Sequence, residues 1–171
     1  MKKVGILTIN DYNNYGNRLQ NYATQEVLKA MGLDVKTVVN ITKIENENGQ
    51  NRSIKSKIKK IKHMPLNEIY KKVNLKMWHY VHAKEINNCK TERIKAFKEF
   101  TRKYIDETDY FISDNNIPDD LSEKFDYFIT GSDQVWNPTF KRFSKVDFLT
   151  FAPRHKRIAY APSFGISKIP E

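Results

Sequence analysis

Two short β-branched runs with a helical stretch between them limit the possible folds of this chain more than any other feature. Residues 3–9 (KVGILTI) and 34–39 (DVKTVV) are typical of buried strands. Between them, apolar residues recur at helical spacing over about four turns: Leu19, Ala23, Val27, Ala30 and Met31. Gly32 supplies a stop for this helix. A strand, helix, strand unit of this length predicts parallel strands joined by a right-handed crossover.

Later segments repeat this alternation of strands and helices. Residues 93–104 have helical spacing, whereas residues 125–130 (FDYFIT) and 157–161 (RIAYA) are strand-like. Such alternation predicts an α/β fold, Rossmann-like, with a mostly parallel sheet flanked by helices. At 171 residues, the chain is expected to form a single domain over residues 1–171.

The positive charge is concentrated in the middle of the chain. Residues 52–103 hold 16 Lys and Arg against 4 Glu, a net charge of +12, whereas the remaining residues sum to −2. Apolar residues at helical spacing predict two or three basic amphipathic helices, a helical insertion at about 52–104, after a mobile loop over 41–52. The blocks on either side are close to neutral, which argues against nucleic-acid binding by the whole protein.

The cysteine, histidine and hydropathy patterns argue against a disulfide-rich protein, a metal-binding protein and a membrane-spanning protein. Cys89 has no partner for a disulfide or a zinc site, which favours a reducing cytoplasm. No run approaches the roughly 18 apolar residues that would span a bilayer. The four histidines form neither a catalytic triad nor a metal-binding pattern, and these are His63, His79, His82 and His155.

Polar clusters follow three of the predicted strands, at the edge of a parallel sheet where ligands bind. The first follows residues 3–9, and its candidate binding residues are Asp11, Asn13, Gly16, Asn17 and Gln20. Asn17 can cap the helix, whose dipole favours an anion, but an Asn-capped turn that merely starts a helix explains the same pattern. The third cluster, after residues 157–161, contributes Ser163.

The second cluster, residues 131–137 (GSDQVWN), contains residue types that bind sugars. Small residues that let the backbone approach a ligand are Gly131 and Ser132. Side chains that can bind sugar hydroxyls or stack on a sugar ring are Asp133, Gln134, Asn137 and Trp136. The alternative is structural, with Ser132 or Asp133 as a helix cap and Trp136 as a core aromatic residue.

Three tracts, in this order, resemble the polysaccharide pyruvyl transferase family. They are residues 10–32 (NDYNNYGNRLQNYATQEVLKAMG), 125–138 (FDYFITGSDQVWNP) and 157–165 (RIAYAPSFG). The tract GSDQVWN is the most specific, followed by GNRLQ with the helix after it. The resemblance covers about residues 1–39 and 125–171, and the basic middle matches little beyond its helical character.

The resemblance implies transfer of the pyruvyl group of phosphoenolpyruvate to two hydroxyls of a glycan or lipid-linked sugar, forming a ketal in surface polysaccharide biosynthesis. This chemistry needs acid and base catalysis and stabilisation of an oxocarbenium-like centre, and we expect no cofactor and no metal. We assign Asp133 as the catalytic base or orienter, with Gln134, Trp136 and Asn137 holding the acceptor. The first cluster then lines the opposite side of the cleft, with Asn17 near the donor phosphate.

Family members are similar to two-domain glycosyltransferases of the GT-B type. Their second Rossmann-like domain carries a Ser, Arg and His motif associated with the donor, and this chain ends at Glu171 before such a motif. We therefore expect an amino-terminal half that lacks the donor-binding domain, a shortened piece that is inactive alone.

The basic segment offers a rival function as a non-catalytic module that binds an anionic membrane or a sugar. Residues 54–64 interleave lysines with Ile54, Ile58 and Ile61, which suits peripheral contact with the inner face of the membrane. An ordinary solvated helix face explains the same pattern. No recognised nucleic-acid motif is present, and no nucleic-acid partner is expected.

Overall fold

The computed structural model describes residues 1–12, 14–42, 65–140 and 143–168. Its strands are β1 (Lys3–Leu7), β2 (Asp34–Asn40), β3 (Glu107–Ile112), β4 (Tyr127–Asp133) and β5 (Arg157–Pro162). They form a five-stranded sheet in the order β3-β2-β1-β4-β5, and every neighbouring pair is parallel. The predicted Rossmann-like α/β class is therefore confirmed.

Helices connect these strands. Their bounds are α1 (Tyr15–Ala30), α2 (Leu66–Val81), α3 (Ala83–Tyr104) and α4 (Leu121–Lys124), with 3-10 turns at Lys145–Phe148 and Arg154–Lys156. Gly32 has a φ of 79° and donates its N–H to the Lys29 carbonyl, which confirms the predicted stop after α1. Across the described ranges, no helix combines the length and the hydropathy needed to cross a membrane.

Helices α2 and α3 occupy the described part of the basic segment. Helix α3 contains the helix predicted over 93–104 but begins ten residues earlier in the chain. Most of the predicted loop over 41–52 and all of the basic helix predicted over 54–64 lie outside the described residues.

Strand β3 is the one strand among the described residues that the sequence does not predict. Its sequence, ETDYFI, begins with the polar residues Glu107, Thr108 and Asp109, and β3 pairs with β2 through an irregular register at the sheet edge. An edge strand exposes much of its surface, so it lacks the continuous apolar run that identifies the central strands.

Apolar side chains cover the two faces of the sheet separately. On one face, Leu28 of α1 packs with Val4, Ile6, Val35 and Ile129. The other face carries the larger cluster, whose buried members are Leu7, Val38, Ile112, Leu121, Phe125, Phe128, Val146, Leu149 and Ala152. The central strand β1 contributes to both clusters, because successive side chains of a strand point to opposite faces.

The buried face of α1 is polar, which corrects the predicted apolar face. Of the residues expected in the core, Leu19, Val27 and Met31 are 54%, 61% and 70% exposed, and Ala23 and Ala30 are also exposed. The residues that face the sheet are instead Asn17, Arg18, Asn21, Thr24, Gln25 and Leu28.

Hydrogen bonds explain why α1 packs on this polar face. Asn21 Oδ1 accepts a hydrogen bond from Thr37 Oγ1 of β2 at 2.9 Å. Gln25 donates to the Tyr104 carbonyl at 2.8 Å and accepts from the Asp106 N–H at 2.7 Å. Hydrogen bonds of this kind offset the cost of removing polar groups from water, which is why these side chains can be buried in the core.

Candidate functional site

The strand order reverses between β1 and β4, and the first two polar clusters meet at this point. After β1 the chain continues to β2 on one side, and it later returns to form β4 on the other side. In an open parallel sheet, such a switch opens a crevice beyond the carboxyl ends of the two strands. The topology therefore brings the first two polar clusters to a strand switch, and a binding cleft there stays a prediction.

Asn17 and Asp133 are in direct contact across this switch point. Asn17 Nδ2 donates a hydrogen bond to Asp133 Oδ2 at 2.5 Å, although 116 residues separate the two in sequence. Asn17 is 3% exposed and Asp133 is half-buried. One carboxylate oxygen is thus held by a buried amide while the residue stays accessible to solvent.

Gln20 provides a second link between the two strands. Its Oε1 accepts a hydrogen bond from Thr8 Oγ1 at 2.9 Å, just after β1. Its Nε2 donates to the Gly131 carbonyl in β4 at 3.3 Å and to Thr24 Oγ1 at 3.2 Å. Gln20 therefore bridges the ends of β1 and β4.

Gly131 is required by the close approach of β5. Its φ is 113°, and a Cβ built on it would lie 2.1 Å from the Tyr160 carbonyl oxygen. The peptide bond from Gly131 to the half-buried Ser132 is cis. Asp133 follows with a φ of 87°, so neither Ser132 nor Asp133 starts a helix. The alternative interpretation of these two residues as helix caps is wrong.

The loop after β4 is held together by its own polar side chains. The Gln134 N–H donates to Asp133 Oδ1 at 2.7 Å, and Asn137 Nδ2 donates to Gln134 Oε1 at 2.9 Å. Asn137 is 3% exposed, and its Oδ1 accepts from the N–H and the hydroxyl of Thr139. These contacts fix the backbone that carries Asp133.

Trp136 is packed against other aromatic residues. Its ring is stacked on Phe148, with centroids 5.5 Å apart and an interplanar angle of 10°, and it also contacts Phe164. Its Nε1–H donates to the Asp147 carbonyl at 3.0 Å. The half-buried indole thus has the arrangement expected of the structural alternative, a core aromatic residue. Stacking of Trp136 on a sugar stays a prediction.

The cap of α1 is Asn14, which corrects the prediction that Asn17 caps this helix. Asn14 has extended backbone angles, and its side chain accepts the Asn17 N–H at 3.4 Å. Asn17 lies three residues further on, inside the first turn, where its side chain is free to reach Asp133. Gly16 leaves room for the cap, because a Cβ there would lie 3.2 Å from Asn14 Oδ1.

The remaining predicted residues lie around this centre. Asp11 is half-buried in the loop after β1, and its carbonyl accepts the Asn14 N–H at 3.3 Å. Ser163 is exposed after β5, where its N–H donates to the Asp133 carbonyl at 2.9 Å. Asn13 lies outside the described residues.

Arg18 is a residue that the sequence analysis did not single out. It is fully buried, with Nη2 donating to the Ile9 carbonyl at 3.1 Å and Nη1 paired with Glu107. Burial lowers the pKa of Arg18, while Glu107 opposes that shift. The available signal was the polar repeat of Arg18, Asn21 and Gln25, which share one helix face.

The described residues contain no cluster of three or more His, Cys, Asp or Glu side chains placed to hold a metal ion. The side chains gathered at the strand switch carry amide, hydroxyl and carboxylate groups. These can orient hydroxyl groups and accept a proton at Asp133.

Comparison with known proteins agrees with the predicted resemblance. A sequence model named polysaccharide pyruvyl transferase matches residues 14–171, a range that includes both Asn17 and Asp133. Neither the curated proteins nor the solved structures compared with the chain gave a match. The family match covers most of the sequence, and the chain therefore belongs to the polysaccharide pyruvyl transferase family.

Proposed function

We propose that this chain forms the acceptor side of an enzyme that transfers the pyruvyl group of phosphoenolpyruvate to a sugar in surface polysaccharide biosynthesis. The observation that supports this proposal best is the hydrogen bond between Asn17 and Asp133 at the strand switch. It joins the two most family-like tracts at the edge of the sheet where ligands bind.

The proposed reaction is the formation of a cyclic ketal. Two sugar hydroxyl oxygens bond to C2 of the pyruvyl group, and the bond between C2 and the phosphate oxygen breaks. The two sugar hydroxyls lose two protons. One proton is matched by the proton added to the enol methylene group, which becomes a methyl group, and the other is carried away by the phosphate, which leaves as hydrogen phosphate.

Asp133 is the proposed base or orienter for an attacking hydroxyl. Asn17 holds its Oδ2 and the Gln134 N–H holds its Oδ1, so the carboxylate has a fixed orientation. An ionised carboxylate offers about four lone-pair sites, so it can accept a sugar hydroxyl in addition to these two bonds. A base held in this way is positioned before the acceptor arrives.

The other polar residues complete the acceptor side. In this proposal Gln134, Trp136 and Asn137 support the acceptor loop, and Ser132 and Ser163 offer hydroxyl groups at its rim. Gly131 keeps β4 and β5 close beneath them. In this proposal Asp11, Gly16 and Gln20 belong to the opposite wall, and Asn17 joins the two walls.

The donor needs cations that neutralise phosphoenolpyruvate. We assign them to a second Rossmann-like domain in a GT-B-like arrangement, so residues 1–171 form the amino-terminal domain of the enzyme. The 171-residue chain alone is then expected to transfer no pyruvyl group.

The test uses the full-length protein with phosphoenolpyruvate and a panel of oligosaccharide or lipid-linked sugar acceptors. Phosphate release should depend on the acceptor, and the product should show the methyl signal of a pyruvyl ketal in its NMR spectrum. Asp133→Asn should slow turnover by about 100-fold or more, the usual effect of losing a general base.

Asp34→Asn is the matched control. It makes the same chemical change at an exposed aspartate, at the opposite, amino-terminal edge of the sheet. Its turnover should equal that of the wild type. Phosphate release without any acceptor, or an Asp133→Asn variant as fast as Asp34→Asn, would contradict the proposal.

The rival proposal is a non-catalytic module that binds an anionic membrane or a sugar. It predicts ligand binding without phosphate release, so the same assay separates the two.

For the enzyme we propose the cytoplasm as the location, since Cys89 is an exposed free thiol.

A further inference from the structure

Helix α2 exposes a continuous apolar stripe. The described side chains that form it are between 49% and 85% exposed, and they are Tyr70, Val73, Met77, Tyr80 and Val81. Their spacing of three, four and seven residues places them on one face of the helix. An exposed apolar surface of this kind marks a site of interaction.

Basic side chains lie along one side of this stripe. Lys72 and Lys76 are four residues apart and form a row beside it, and both are exposed. Residues 65–104, which include α2 and α3, hold 10 Lys and Arg against 4 Glu, a net charge of +6. The partner of this surface should therefore be both anionic and able to accept apolar side chains.

We propose that α2 docks on an anionic lipid bilayer, lying in the plane of the surface. The stripe would enter the boundary between head groups and acyl chains, while Lys72 and Lys76 would reach the lipid phosphates. Tyr70 and Tyr80 suit this depth, because their rings are apolar and their hydroxyl groups stay hydrated.

Two other occupants fit these observations less well. A second copy of the chain would bring two basic surfaces together, and their repulsion opposes pairing. Nucleic acid would use the lysines but has no use for the aliphatic side chains of Val73, Met77 and Val81. A bilayer uses both features.

The test is sedimentation of the full-length protein with vesicles of phosphatidylcholine, with and without phosphatidylglycerol. Binding should require phosphatidylglycerol and weaken as salt rises. Met77→Glu and Leu75→Glu form a matched pair, since both residues are exposed on α2 but two positions apart, on opposite faces. Circular dichroism should show that both variants keep their helices.

Leu75→Glu should weaken binding by about fivefold, the effect of the added charge alone. Met77→Glu should weaken it by about fiftyfold or more, because the burial of an apolar side chain is also lost. Equal losses in the two variants, or no sedimentation with anionic vesicles at low salt, would overturn the proposal.

Two further results would assign the stripe to another partner and equally overturn it. One is dimerisation in the absence of lipid that Met77→Glu abolishes. The other is binding to RNA that is tighter than binding to anionic vesicles at the same salt. None of these measurements depends on pyruvyl transfer, so the lipid surface and the proposed reaction can fail separately.

Discussion

Arg18 Nη1 lies 3.3 Å from Glu107 Oε1, and this ion pair joins α1 to β3. Arg18 also holds the Ile9 carbonyl, at the start of the loop that carries Asp11. Burial raises the pKa of Glu107 although Arg18 opposes that shift. The ion pair thus helps to position the first polar cluster. The attraction between its two charges does not fully offset the cost of removing them from water.

Arg18→Ala should destabilise the protein increasingly as pH rises. Without Arg18, burial raises the pKa of Glu107 further above its ordinary value of 4.5. An acid whose pKa is raised by folding contributes stability below that pKa and loses it as pH rises through it. The deficit relative to wild type should therefore grow as pH rises above the ordinary Glu107 pKa of 4.5 and level off once the carboxylate is ionised in both proteins, at about 3 kcal/mol, the usual cost of breaking a buried ion pair. Urea unfolding at several pH values measures it.

The control for this prediction is the double variant Arg18→Ala with Glu107→Gln. It removes the titrating carboxyl group, so the growth of the deficit with pH should disappear. A deficit of the same size at all pH values in Arg18→Ala would show that the ion pair does not carry the effect.

Gly131→Ala should destabilise the protein by about 3 kcal/mol or more, because the added methyl group collides with the Tyr160 carbonyl and the residue has a positive φ. Gly32→Ala is the matched control, since Gly32 also has a positive φ but no atom lies within 4 Å of its added Cβ. That variant should lose only about 1 kcal/mol. Thermal unfolding distinguishes the two variants. Equal losses of unfolding free energy would mean that contact with β5 is not the reason why position 131 requires glycine.

Asn14→Ala should lower the free energy of unfolding by about 1 kcal/mol, because α1 loses the side chain that accepts the Asn17 N–H. Asn14→Ser retains a capping oxygen and should stay close to wild type. Chemical denaturation measures both variants. If alanine and serine behave alike at this position, Asn14 is not the cap.

Much of the fold could be predicted from local sequence patterns. The runs that became β1, β2 and β4 are apolar and β-branched because buried parallel strands need such residues. Strand β5 was also predicted, from RIAYA, although it is an edge strand with mostly exposed side chains. Strand β3, at the other edge, was missed because its first three residues, Glu107, Thr108 and Asp109, are polar. The buried face of α1 was also missed, since its polar side chains depend on partners such as Thr37 and Tyr104 that are distant in sequence.

The candidate site could be located, but its internal contacts could not. The polar residues that follow β1 and β4 predict that Asn17 and Asp133 lie at the same edge of the sheet, because the carboxyl ends of parallel strands meet there. The roles of Asn14 and Arg18 depended on three-dimensional contacts. Asn14 and Asn17 are both asparagines with capping potential, and only the extended backbone of Asn14 identifies the cap.

Asn17 and Asp133 are proposed to act together on a sugar acceptor. A double-mutant cycle in the full-length protein tests it most directly, by measuring acceptor-dependent phosphate release for Asn17→Ala, Asp133→Asn and the double variant. If Asn17 works by orienting Asp133, the double variant should be no slower than Asp133→Asn alone. Multiplied losses in the double variant, or wild-type turnover in Asp133→Asn, would contradict the claim.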